Sequence, residues 1–120
     1  MPAAVNVLPE LKTEFADVNE KGAFVNEIMP IATKAMTDAD NHFNNFLYPQ
    51  ANSEYLVSLE AFMHLMKLTK DDANFQSYCT VKLNYLFDRG EKCKSNIQGV
   101  MKDKKVAGFY NQNDTPDTMT

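Results

Sequence analysis

The chain has 120 residues and a mass of 13.6 kDa, the size of one compact domain without room for two substantial cores. Hydrophobic residues make up 44% and charged residues 23%, which excludes a wholly disordered chain, a collagen-like repeat and a disulfide-dense scaffold; no stretch approaches the roughly 20 apolar residues that span a bilayer. A net charge of −4 and a pI near 5.1 disfavour nonspecific nucleic-acid binding by the chain as a whole.

The opening Met1-Pro2-Ala3-Ala4-Val5 has no positive segment and no long apolar run, so it does not read as a secretory signal, and cytoplasmic residence is the expectation. Leu8, Leu11, Phe15 and Val18 then follow helical spacing, with Pro9 suited to a first turn and Gly22 to a stop. Phe24, Ile28, Ile31, Ala35, Ala39, His42 and Phe46 continue at helical spacing, and Pro30 inside that run predicts a kink or restart. Tyr48-Pro49-Gln50-Ala51-Asn52 reads as a break, and Ser53 as the cap of the next helix.

Leu56, Leu59, Met63 and Met66 form a stripe on that helix, widened by Tyr55, Phe62 and Leu65. Beyond the polar Thr69-Lys70-Asp71-Asp72, the positions Phe75, Cys79, Leu83, Leu86, Gly90, Cys93, Ile97 and Val100 alternate in steps of four and three. Two readings of Gly90 stand side by side. The unbroken stripe favours one long helix, whereas Asp88-Arg89-Gly90 has the form of a helix stop. No segment alternates with period two. The fold expected is all-α: a small antiparallel bundle of four to five helices over residues 1–106, with residues 107–120 as a flexible or partner-ordered tail.

Charge is unevenly spread. Residues 1–66 carry three basic against nine acidic residues, a balance of −6, while residues 67–105 carry nine basic against five acidic, a balance of +4. Lys92, Lys94, Lys102, Lys104 and Lys105 make the last helix basic, and Phe109 and Tyr110 follow closely. These seven residues are the candidate partner-binding set, suited to an acidic protein surface. Seven Met and thirteen aromatics (eight Phe, five Tyr) exceed what so short a chain easily buries, which points to an exposed apolar patch.

Cys79 and Cys93 lie about 21 Å apart along one helix, beyond the ~7 Å limit for a disulfide, so both are expected as free thiols. Asp38 precedes His42 by four residues and Glu60 precedes His64 by four, so each pair shares a helix face. Folding an antiparallel hairpin about residues 48–52 sets position 42 near 59–60. The four groups then converge into a ligand set acceptable to zinc.

No P-loop, G-x-G-x-x-G, H-E-x-x-H, G-x-S-x-G or C-x-x-C occurs. The function expected is a non-enzymatic protein-binding helical domain: a subunit, adaptor or inhibitor, with no cofactor and with room for homo-oligomerisation. The alternatives are a metal-binding bundle using Asp38, His42, Glu60 and His64, and a carrier of a small apolar ligand.

Overall fold

The computed structural model describes residues 6–109, with side chains described through residue 99. It contains three helices: α1 (Val18–Asn44), α2 (Tyr48–Leu68) and α3 (Ala73–Phe109). Among the described residues there is no strand. The all-α class holds, but the helix count is three instead of four to five, and each difference has a physical cause.

Residues 6–15 form a strap without regular secondary structure, not a first helix. Asn6 is bonded to Asp38 and Phe15 rests against Phe24, anchors fourteen residues apart on α1. Those anchors are about 21 Å apart along the helix, whereas nine helical steps cover only about 13 Å. An extended chain bridges the gap; a helix does not. Leu8, Leu11 and Phe15 still reach the core, so their spacing reported burial correctly and periodicity wrongly.

Gly22 does not stop α1 and Pro30 does not divide it. The buried face Phe24, Ile28, Ala32, Ala35 and Ala39 runs straight past Pro30. Burial along that face outweighs the ~3 kcal/mol cost of an interior proline. The proline itself is exposed, as is Asn26, whose carbonyl loses its usual amide partner to Pro30 and is left to solvent. At Gly90 the long-helix reading is the observed one, and α3 continues to Phe109. Residues 110–120, including Tyr110 and most of the expected tail, lie outside the described residues.

The α1–α2 connection is shorter than expected. Asp17 caps the start of α1 by accepting from the Glu20 amide at 2.9 Å. The end is a left-handed cap, in which Phe46 N–H donates to Phe43 C=O at 3.0 Å and Leu47 N–H to His42 C=O at 2.9 Å. Phe46 adopts φ 64° to make it. Pro49 then falls in the first turn of α2, where a missing amide costs nothing, so α2 begins at Tyr48 and Ser53 is interior.

Small residues set the α1–α2 contact. Ala32, Ala35 and Ala39 of α1 and Ala51, Ser58 and Ala61 of α2 are all fully buried, allowing close approach of the two backbones. Ser58 Oγ donates to the Ala32 carbonyl at 2.7 Å across that seam. The larger core side chains, Ile28, Tyr55, Phe62 and Leu65, fill the space around it. Helix α2 is the middle element, packed against both α1 and α3.

Candidate interaction surface

Arg89 ties the three helices together. Its guanidinium carbon lies 3.9 Å from the centroid of the Phe43 ring, and Nε donates to Tyr55 Oη at 3.1 Å. Tyr55 Oη in turn donates to Asp40, which also accepts from Tyr85 Oη at 2.8 Å. Burial, reinforced by the bond to Asp40, pushes the hydroxyls of both tyrosines above their ordinary range. Sequence reasoning missed this group. Arg89 was legible only as the cation of a helix stop, and nothing in the spacing pairs it with Asp40.

The knot fixes how α3 sits on α2. Arg89 beside Tyr55, and Gln76 beside the Met66 carbonyl at 2.9 Å, define an antiparallel register. In that register Phe87 is level with Leu56 and Leu83 with Leu59. Tyr85 and Arg89 turn toward α1, so Phe87, two residues from each and about 200° round the helix, lies on the opposite flank of α3. Glu54 and Ser58 turn toward α1, so Leu56 likewise lies on the outer flank of α2.

Together they form an apolar outer face. Leu56, Met63 and Phe87 stand on its lips at 53%, 52% and 54% exposure, with half-buried Leu59 and Leu83 below them. Lys94 lies two turns beyond Phe87 on the same flank of α3, so the face borders the basic stretch. The stripe expected to be core on α2 is therefore turned outward at Leu56 and Met63. The core positions go to Tyr55, Ser58 and Phe62 because small residues form the seam with α1.

Lys92 and Lys94 are exposed and make surface ion pairs with Asp88 at 3.1 Å and Glu91 at 3.8 Å. The side chains of Lys102, Lys104, Lys105 and Phe109, and all of Tyr110, lie outside the described residues. Cys79 and Cys93 are both buried and unpaired with one another, and burial raises both thiol pKa values.

The four proposed metal ligands do not converge. Moving the turn from 48–52 to 45–47 shifts the hairpin register, so His42 meets Glu54 instead of Glu60. Asp38 is held by Lys34 at 2.7 Å and Asn6 at 3.0 Å, contacts that lower its pKa. His64 is buried against the strap, and Glu60 is exposed. Among the described residues no three His, Cys, Asp or Glu side chains are grouped to hold a metal.

An open cleft of about 420 Å³ lies between the strap and the ends of α1 and α2, lined by Thr13, Phe15, Asp17, Lys21 and Lys67 among others. Its lining is mixed, with the apolar Phe15, Val18 and Leu68 beside the charged Asp17, Lys21 and Lys67. Among the described residues no helix is long and apolar enough to cross a membrane. No family model, curated protein or solved structure matches the chain.

Proposed function

We propose that the chain is a non-enzymatic protein-binding domain, acting as subunit, adaptor or inhibitor, and that it binds through the outer face of α2 and α3. The observation that carries the reading is the apolar surface of Leu56, Met63 and Phe87 above Leu59 and Leu83. Each exposed side chain alone is ordinary, but Leu56 and Phe87 level with one another on adjacent helices, with Met63 two turns along the same flank of α2, form the kind of patch that marks an interface. Lys94 borders it on the same flank of α3, where the basic stretch begins, and supplies charge selection for an acidic rim on the partner, a contribution to orientation and encounter rate more than to affinity.

The test is quantitative affinity capture from native cell extract with wild type, L56D/F87D and K92E/K94E in parallel. The reading expects proteins retained by wild type to be lost from L56D/F87D and reduced with K92E/K94E. Identical capture by wild type and L56D/F87D, with both folded, removes the outer face from consideration. Sedimentation of the same proteins shows whether the captured partner is a second copy.

A further inference from the structure

The strap offers a second recognition site on another flank of the hairpin. Asp38, which holds Asn6 of the strap, and Asp40, which faces α3, are two residues apart and so on opposite flanks of α1. Along the strap flank, Leu8, Leu11 and Phe15 pack against the core without belonging to any helix or sheet. Among the described residues, no backbone–backbone hydrogen bond outside the helices involves residues 6–15. The strap is held by side chains.

Its central anchor is His64, only 6% exposed on α2, whose Nε2 lies 2.6 Å from the Lys12 carbonyl. A carbonyl only accepts, so Nε2 carries the proton and donates. The remaining anchors are Phe15 against Phe24, centroids 5.6 Å apart, and the exposed Lys12–Glu20 pair at 3.2 Å. The residues joining strap to helix, Ala16 and Asp17, are exposed and free of core packing.

The strap therefore behaves as a tethered extended peptide in a groove, reading out one buried donor and three apolar positions. We propose that this α1–α2 groove is a peptide-recognition site, filled in cis by residues 6–15. Its trans ligand is an extended segment of a partner protein with the same Leu-x-x-Leu-x-x-x-Phe pattern and a free backbone carbonyl between its second and third anchors. Extended segments are read in this way, by backbone bonds plus alternating side-chain pockets. The tethered copy competes at an effective concentration in the millimolar range, so the groove answers a partner only to the extent that the strap opens. The proposal goes beyond the outer-face reading and does not depend on it.

The test uses the full chain and a fluorescent peptide of its own residues 6–17, followed by anisotropy. The double variant L11S/F15S weakens the cis occupant and leaves the helices unaltered in sequence. It is expected to bind the peptide at least ten-fold tighter than wild type, while a peptide carrying the same two serines does not bind. Absence of binding to the variant, or equal binding of both peptides, overturns the proposal. Should the variant lose its fold, the wild-type peptide is expected to raise its Tm by several degrees, and no rise is equally decisive against it. A concentration-dependent wild-type dimer that L11S/F15S abolishes would give the groove to a second copy and overturn the assignment to a foreign segment.

Discussion

Arg89 lies over the ring of Phe43, with 3.9 Å between the guanidinium carbon and the ring centroid, and so joins α3 to α1. The same side chain reaches Tyr55 on α2, so one residue touches all three helices. Its side chain is only 18% exposed, and Asp40 lies within 3.7 Å of Nε to balance the charge. A cation–π contact contributes about 0.5–2 kcal/mol and a hydrogen bond to a charged group about 1.5–3. Arg89→Ala is accordingly expected to cost about 2–4 kcal/mol in urea unfolding, with Asp40 left partly buried and short of its cation. Arg89→Lys restores charge but not the guanidinium's contact with the ring and its bond to Tyr55, so it is expected to recover less than half of the loss.

The strap is expected to loosen in acid before the helices do. Asp38 is held below the ordinary carboxylate range, first by its bond from Lys34 and then by that from Asn6. Glu20, which accepts from the Ala16 amide and from Lys12, is lowered as well. A depressed folded pKa means stability that is present above the unfolded value near 4 and lost as the pH falls through the folded one. Both groups anchor the strap, so methyl resonances of Val7, Leu8 and Leu11 should shift below about pH 4 while helical ellipticity persists. Simultaneous loss of both signals would show that these two carboxylates are not separate latches.

How much of this was legible in the sequence depends on what each residue reports. Helical spacing located α1 and α3 because long amphipathic stripes have few alternative explanations. It failed over residues 6–15, where three apolar residues meet one groove in an extended chain and mimic the helical period by chance. Pro49 misled by position: a proline breaks a helix interior but opens a first turn, and only the left-handed cap at Phe46 decides which applies. That choice moves His42 from Glu60 to Glu54 and with it the expected metal set. Alanines at 32, 35 and 39 carried the remaining information. Small residues at a helix seam turn larger neighbours outward, and the exposure of Leu56 and Met63 follows from that.

The two thiols are expected to be silent in the folded protein. Cys79 and Cys93 have no measurable exposure, and burial pushes both above the ordinary thiol range. A chromogenic disulfide reagent at pH 8 should therefore react with neither until urea unfolds the chain, whereupon both react. The raised folded values also give a sign. Their stabilising contribution is complete below the unfolded thiol pKa near 8.5 and is lost as the pH rises toward the folded values. Rapid native reaction of one thiol would place it in a region that opens locally.

Gly90 sits inside α3 although its neighbours have the form of a helix stop. A Cβ added there meets nothing within 4 Å, and the backbone has no positive φ. Gly90→Ala is expected to stabilise the chain by about 0.5–1 kcal/mol through the lower entropy of the unfolded state. A neutral or destabilising result in urea titration would mean that α3 bends at this point in solution.

Phe46 presents the reverse case. It occupies the left-handed position after α1 that glycine fills most readily, with φ 64° and 76% of its surface exposed. An L-residue pays about 1–2 kcal/mol for that conformation. What it regains is an edge contact with Tyr48 at 6.4 Å between centroids, on a ring mostly in water. Phe46→Gly removes the strain at the cost of a more flexible unfolded chain, and Asn offers a left-handed preference with less entropy loss. Both are expected to raise stability, Gly by up to about 1 kcal/mol and Asn by somewhat less. Urea titration of the two variants checks this. A loss of stability on Phe46→Gly would show that the Tyr48 contact outweighs the backbone strain and that the aromatic tip is part of the fold's packing.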